Sequence, residues 1–161
     1  MSEQTASQKN THRELKIIIE VNEAAEQFYE ESTKLGEHAA HVITNKHRSQ
    51  LTNLENVANS AFKSSDIFDY IKRQTARYNF WRQPHKGHSN QPFGERLLKQ
   101  LEQDLKGRRD NICTKLEIGD TTDEDRRLRR HVYLLLIRQF IRQMVVQYEF
   151  QTSILKEQKR G

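Results

Sequence analysis

Apolar residues recur every three or four positions along most of the chain. In the first third they are Ile17, Val21, Ala24, Phe28, Leu35, Ala39 and Val42, and the register resumes at Leu51, Leu54, Ala58 and Phe62. This spacing is typical of an amphipathic helix whose apolar face lies on a core. Residues 44–50 are polar throughout, but neither Gly nor Pro occurs between Glu37 and Asp66. The pattern favours one continuous or bent helix over residues 12–62, with two helices hinged near Asn45 as the alternative.

Three further helices follow from start and stop signals. Ser64, Ser65 and Asp66 are good N-cap residues for a helix that ends near Arg82. Both prolines fall within residues 83–92, which predicts a loop. The next helix is expected over 93–116, and the last begins at Thr121 or Thr122 and reaches about Lys156.

The final helix is predicted to be the centre of the fold. Residues 131–137 are apolar almost all round, which indicates burial on every side. Short loops between long helices predict an all-α, antiparallel bundle of four to five helices, with a long N-terminal and a long C-terminal helix. Residues 1–11 are expected to be a flexible tail, and residues 12–161 a single domain. The predicted common core contains Leu101, Leu105, Leu135, Leu136 and Phe140.

Composition limits the class of protein. The chain is 34% hydrophobic and 30% charged, with a mean hydropathy of −0.95, which suits a thin helical structure with much surface. The single cysteine, Cys113, excludes an internal disulfide framework. The longest apolar run, residues 132–137, is far shorter than a bilayer span of roughly 20 residues. A cytoplasmic protein that does not enter the membrane is expected.

Charge is distributed unevenly along the chain. Residues 1–62 carry six Lys and Arg against nine Asp and Glu, a net charge of −3. Residues 63–161 carry 21 against 13, a net charge of +8. Clustered cations raise the local concentration of polyanions. The basic part is therefore expected to bind nucleic acid, RNA more readily than DNA, and the acidic N-terminal helix to contact a protein partner or a second copy of the chain.

Basic and aromatic residues alternate within residues 72–88. Such a segment can neutralise phosphates while an exposed ring stacks on an unpaired base. The alternative is that Tyr78 and Trp81 seal the end of the bundle while the cations are merely solvated. The candidate nucleic-acid-binding residues here are Lys72, Arg73, Arg77, Tyr78, Trp81, Arg82 and Lys86.

A second basic cluster opens the last helix. Like charges four residues apart on a helix repel, and an anionic partner would relieve that repulsion. The neighbouring acids at Asp120 and at residues 123–125 offer an internal neutralisation instead. The candidate nucleic-acid-binding residues of this cluster are Arg126, Arg127, Arg130, Arg138 and Arg142, with Arg108 and Arg109 on the preceding helix.

Enzymatic and metal signatures are sparse. The histidine pairs His38/His41 and His85/His88 lack the further ligands of a closed metal site, and no cofactor-binding motif occurs. Arg126 and His131 are separated by four residues, a spacing that resembles the Arg-x4-6-His pair of the HEPN ribonucleases. That resemblance covers two residues and implies a helical bundle acting on RNA phosphodiesters at a dimer interface.

Three functions are compatible with this sequence. The first is a nucleic-acid-binding accessory subunit, with single-stranded RNA as the expected ligand, in a larger ribonucleoprotein or defence-type complex. In architecture alone, it resembles the small helical subunits of CRISPR effector complexes. The second is a protein–protein adaptor or homo-oligomeric helical scaffold without nucleic acid. The third is a HEPN-like ribonuclease that uses Arg126 and His131.

Overall fold

The computed structural model describes the backbone of residues 2–160 and the side chains of residues 6–158. Within residues 2–160 there is no β-strand, only an isolated bridge between His85 and Ser89. Short 3-10 turns occupy Asn45–His47 and Asn79–Arg82. The predicted all-α bundle is therefore confirmed. The helices are α1 (Ser2–Gln27), α2 (Tyr29–Val42), α3 (Ser49–Ser60), α4 (Ser64–Arg77), α5 (Phe93–Lys99), α6 (Leu105–Lys115) and α7 (Asp123–Arg160).

Helix α7 is the centre of the bundle, as its apolar sequence predicts. It contacts α1, α2, α3, α4 and α6. Ser32 on α2 donates a hydrogen bond to Gln143 on α7, with 2.6 Å between the side-chain oxygens. Further along both helices, the Tyr148 hydroxyl donates to the carbonyl of Ile43 at 3.0 Å. Helix α2 therefore runs along α7 in the same direction.

The first third of the chain is not one helix, so the preferred interpretation of residues 12–62 was wrong. The helix is interrupted at Phe28 (φ −96°, ψ 9°), and α2 then ends at Val42, which agrees with the alternative of a hinge near Asn45. Ile43 is extended (φ −103°, ψ 104°) and fully buried. The helix ends there because Ile43 packs into the core and Tyr148 satisfies its carbonyl, so neither Gly nor Pro is required.

Phe62 does not continue the apolar register of α3, contrary to the prediction. Helix α3 ends at Ser60, and Ala61 is extended (φ −68°, ψ 138°) and buried. Once the helix has ended, helical spacing no longer determines which side chain faces the core. Ala61 takes the inner position in the turn, and Phe62 points into solvent with 92% of its surface exposed.

Helices α5 and α6 are continuous through a π-helical segment, Gln100–Asp104, which agrees with the single helix expected over residues 93–116. A π-turn displaces the backbone from the i to i−4 ladder and leaves a carbonyl available to other donors. The hydroxyl of Tyr133 on α7 donates to the carbonyl of Leu101 at 2.7 Å. This hydrogen bond fixes the π-helical segment against the central helix.

Most of the predicted core is present. Leu101, Leu105, Leu136 and Phe140 are fully buried in one cluster, whereas Leu135 is only partly buried at its edge. Helix α7 begins at Asp123, where the Thr122 hydroxyl accepts a hydrogen bond from the Asp125 amide at 3.1 Å. This is the N-cap that the sequence predicts at Thr122.

The N-terminal segment extends α1. The backbone of residues 2–11 is helical, and the side chains of residues 6–11 are exposed. Met1 of the expected tail lies outside the described residues, and the division at residue 11 stays a prediction. In the described part of the chain, no helix combines the length and the apolar character that a membrane crossing requires.

Candidate nucleic-acid interface

A cationic groove of about 520 Å³ lies between α4, α6 and α7. Tyr133 and Leu134 of α7 and Phe68 of α4 provide its apolar surface. The charged residues that line it are Lys63, Lys106, Arg109, Arg130 and Glu102, and the remaining polar residues are Ser64 and Gln103. Four cations thus face the groove with one carboxylate.

Three separate chain segments bring these cations together. Lys63 precedes the first turn of α4, and Arg130 lies on α7 three residues before Tyr133. Lys106 and Arg109 are three residues apart on α6, so they share one face of that helix. The π-helical segment carries Glu102 and Gln103 at the same wall. The groove forms because α7 contacts both α4 and α6.

The four cations differ in how far they are neutralised. Arg109 donates to Asp110 at 2.9 Å, and its guanidinium lies 5.1 Å from the centre of the Tyr133 ring. Lys63 is 3.7 Å from Asp66 in an exposed ion pair, which contributes little. Among the described side chains, Lys106 and Arg130 form no ion pair. These two are available to an external anion.

The outer face of α4 extends the positive surface away from the groove. Lys72 lies one turn beyond Phe68 on the same side of α4. Lys72, Arg73 and Arg77 are all exposed, and within residues 6–158 none of them forms an ion pair. The positive surface of α4 thus continues beyond the groove.

Several other predicted residues are occupied inside the protein. Arg138 donates to the carbonyls of Ala58 and Ala61 at 2.9 and 3.1 Å, which caps the end of α3. Arg108 donates to Asp104 and to Gln27, both at 3.0 Å. These two guanidiniums connect helices, so a role for them in nucleic-acid binding is not favoured.

Arg82, Arg126 and Arg127 are exposed but also held locally. Arg82 donates to the carbonyls of residues 75 and 76 at the end of α4. Arg126 pairs with Asp123 and reaches the carbonyls of residues 120 and 121, and Arg127 pairs with Glu124. The internal neutralisation considered for this cluster is thus what the structure contains.

Trp81 is fully buried, so the stacking role predicted for it is wrong. Its ring centre lies 5.1 Å from that of Phe93, and its indole nitrogen donates to the side chain of Gln50 at 2.7 Å. Tyr78 is 36% exposed, with its ring centre 5.4 Å from that of Phe80. The alternative of a seal at the end of the bundle therefore holds for Trp81, while Tyr78 keeps one accessible side.

Lys86 and Arg142 lie outside the groove. Lys86 is exposed in the loop 83–92. Arg142 is exposed on α7, three turns beyond Arg130, and its positive charge acts against the rise in the pKa of Glu55 that burial produces. The structure thus divides the predicted residues between the groove, the outer face of α4 and separate positions elsewhere.

Four histidines cluster where the loop 83–92 meets α2. The ring of His85 is 4.2 Å from those of His41 and His88, and 5.4 Å from that of His38, centre to centre. Burial lowers the pKa of His38 and of His85 to about 4. Among the side chains of residues 6–158, no group of His, Cys, Asp and Glu has a geometry that holds a metal ion. The cluster contributes packing between the loop and α2.

Arg126 and His131 do not form a shared site within one chain. Residues five apart on an α-helix differ by about 140° in direction. Arg126 is held by Asp123 at the helix start, and His131 is half-buried, which lowers its pKa. The spacing that resembles the HEPN pair has no further support in this geometry.

No family model, curated protein or solved structure matches this chain. The site is therefore described from its own geometry. The sequence pattern does not select Lys63 or Lys106 as binding residues. Lys63 is an isolated lysine, and Lys106 lies beside Arg108 and Arg109 with no feature that distinguishes it from other lysines of the helix. Only the arrangement of α4 and α6 around α7 shows that they face the same groove as Arg130.

Proposed function

We propose that this protein binds single-stranded nucleic acid, RNA in particular, as an accessory subunit of a larger ribonucleoprotein complex. The observation that supports the proposal is the groove between α4, α6 and α7, in which Lys106 and Arg130 form no ion pair with any described side chain. A phosphodiester in the groove would neutralise these two charges and release the counterions that the nucleic acid carries in solution.

The groove has properties that favour phosphate over a single carboxylate ligand. Its cations come from α6, α7 and the turn before α4, and they surround a volume of about 520 Å³, within the range of sites that hold a small ligand. Apolar walls beside Tyr133 and Phe68 reduce the local dielectric response and strengthen the attraction for an anion. Ser64 and Gln103 add neutral groups that can hydrogen-bond a ribose hydroxyl, which favours RNA.

Charge reversal in the groove tests the proposal. The double variant Lys106→Glu with Arg130→Glu is compared with Lys34→Glu with Lys46→Glu, which changes the net charge equally on α2 and the 3-10 turn after it. Binding to single-stranded RNA, single-stranded DNA and duplex is measured by fluorescence anisotropy over a salt series. We expect the groove variant to flatten the plot of log affinity against log salt by about 0.7 per lost phosphate contact, while the control keeps its slope.

Equal affinity and equal slope for the two double variants would show that binding does not use the groove. Absence of binding by the unaltered protein to every nucleic acid tested would contradict the proposal as a whole. Circular dichroism on each variant checks that the compared proteins are folded. Because Lys106 and Arg130 are exposed, we expect the groove variant to fold.

A protein-binding role is the second candidate, because α1 exposes apolar side chains. Leu15, Ile18 and Ile19 are each about half exposed or more, beside the acidic residues Glu23 and Glu26. An apolar stripe flanked by acids suits a partner helix with basic flanks. If the protein is instead a homo-oligomeric scaffold that binds no nucleic acid, the double variant Leu15→Ser with Ile19→Ser should have a lower mass in sedimentation than the unaltered protein. Neither protein should then bind RNA.

A further inference from the structure

Phe62 is the most exposed large apolar side chain of the described residues, at 92% of its surface. It lies in the turn between α3 and α4 and directly precedes Lys63, which lines the cationic groove. Adjacent Cα atoms are about 3.8 Å apart. A strand with a phosphate in the groove therefore passes close to the backbone that carries the Phe62 ring.

The turn that carries Phe62 is held rigidly. Arg138 on the central helix donates to the carbonyls of Ala58 and Ala61, and Ala61 immediately precedes Phe62. On the other side, the amide of Asp66 donates to the carbonyl of Lys63 at 3.3 Å. The buried side chain of Ala61 anchors the turn from within. A ring presented in this way loses little backbone freedom when a ligand contacts it.

An exposed phenylalanine offers a large apolar ring to a ligand, and its surroundings indicate which kind of ligand would cover it. The neighbouring groove is cationic and binds phosphate in the proposed function, so the covering group would belong to a ligand that carries phosphates. Unpaired bases are flat, apolar on both faces and attached to phosphates, and they stack on aromatic rings in single-strand-binding proteins. A double helix offers no such face, because its bases are already stacked.

We infer that Phe62 is a stacking platform for an unpaired base of the strand whose phosphate occupies the groove. The inference rests on the proposed function and adds a base-contacting residue to a site otherwise made of cations. It also supplies an exposed ring for stacking, which the buried Trp81 does not. Phe62 then contacts a base and Lys63 a phosphate of the same strand.

Three variants test the inference. Phe62→Ala removes the ring, and Phe62→Leu keeps an apolar side chain without a flat π-face. Phe150→Ala is the matched control, because Phe150 is another exposed phenylalanine, about 30 Å along α7 from Arg130. Each protein is titrated with oligouridylate and with inorganic polyphosphate, which has charge but no bases.

We expect Phe62→Ala and Phe62→Leu both to weaken oligouridylate binding by about 5- to 150-fold, which corresponds to about 1–3 kcal/mol of stacking. Polyphosphate binding should be the same in all variants, and Phe150→Ala should bind oligouridylate like the unaltered protein.

Equal oligouridylate affinity in Phe62→Ala and the unaltered protein would overturn the inference but would not contradict phosphate binding in the groove. Normal binding by Phe62→Leu would also overturn it, since it would indicate general apolar contact, as with a protein partner. Failure of the unaltered protein to bind oligouridylate would overturn both the inference and the proposed function.

Discussion

The imidazole ring of His85 lies between those of His41 and His88, with its centre 4.2 Å from each. Next to this stack, the Nδ1 atom of His38 accepts a hydrogen bond from Arg96 at 3.1 Å, and its Nε2 atom donates to the carbonyl of Gln83. Since a guanidinium only donates, His38 must be neutral in this arrangement. The charged groups that act on His38 and His85 are Arg96 and other histidines, all of which oppose protonation.

Acid should therefore destabilise the protein through this cluster. Burial, together with these neighbours, lowers the pKa of His38 and His85 to about 4, against about 6.5 in the unfolded chain. Between these values the unfolded chain binds protons that the folded chain does not. The contribution of the two neutral histidines to stability is therefore complete above about pH 6.5 and is lost as the pH falls toward 4. Each histidine can contribute at most about 3 kcal/mol to this loss.

Urea unfolding at about pH 7 and about pH 4.5 measures the effect. His85→Phe keeps a ring in the stack and removes one titrating group, so it should reduce the difference in unfolding free energy between the two pH values. His12→Gln, at an exposed position on α1, should leave that difference unchanged. An equal pH dependence in His85→Phe and the unaltered protein would contradict the assignment.

Gly36 allows α2 to approach α7 closely. A Cβ atom at this position would lie 2.6 Å from both the Met144 carbonyl oxygen and the Cβ of Gln147. Because Met144 contributes backbone, the neighbour cannot simply move away, and we expect Gly36→Ala to destabilise the protein by about 1–3 kcal/mol. Gly107→Ala is the control, since nothing lies within 4 Å of its Cβ position in α6. That variant should be more stable by about 0.5–1 kcal/mol, and thermal unfolding of both proteins compares the two glycines directly.

The helices of this protein could be predicted from local pattern where start signals and apolar periodicity agree. The cap at Thr122 and the apolar centre of α7 are examples, because each depends on residues within a few turns. The break at Ile43 could not be predicted in the same way. It depends on a hydrogen bond from Tyr148, 105 residues away in sequence, and no local residue type signals it.

The same distinction between local pattern and distant contacts applies to the candidate site. A high density of arginine predicts a basic surface, but it does not distinguish a guanidinium that faces solvent from one that caps a helix. Arg130 and Arg138 look alike in sequence, yet the first lines the groove and the second binds the end of α3. Phe62 shows the reverse error, since its apolar character predicts burial and the end of α3 exposes it.

Leu135 and Leu136 are neighbours with different surroundings. Leu136 is fully buried, whereas Leu135 lies partly exposed at the edge of the core. Leu136→Ala should therefore cost about 2–5 kcal/mol of unfolding free energy, and Leu135→Ala distinctly less. Chemical denaturation of both variants tests this order, and a larger loss for Leu135→Ala would mean that α7 is rotated relative to the structure described.

Arg138 should contribute to stability and Arg142 should not. Replacing Arg138 by Ala removes two hydrogen bonds to the carbonyls at the end of α3 and leaves them without that donor. Hydrogen bonds from charged donors contribute about 1.5–3 kcal/mol, which sets the expected loss of unfolding free energy. Arg142→Ala, one turn later on the exposed surface of α7, should change it by about 0.5 kcal/mol or less. Similar urea midpoints for the two variants would show that the contacts of Arg138 do not stabilise the turn.

Trp81 distinguishes a core aromatic from a ligand-binding one. It is fully buried, packs on Phe93 and donates to Gln50, so Trp81→Ala should destabilise the protein by about 3–5 kcal/mol. Trp81→Phe keeps most of the packing and loses the hydrogen bond, and should cost less. Compared at equal folded fraction, neither variant should change the affinity for oligouridylate, because the indole has no face in solvent.

Since Trp81 is the only tryptophan, the fluorescence of the unaltered protein gives a second readout. Its emission should be that of a buried indole, and it should not be quenched when oligouridylate is added. Quenching that saturates with the ligand would show that Trp81 contacts the bound bases. Trp81, and not Phe62, would then be the stacking residue.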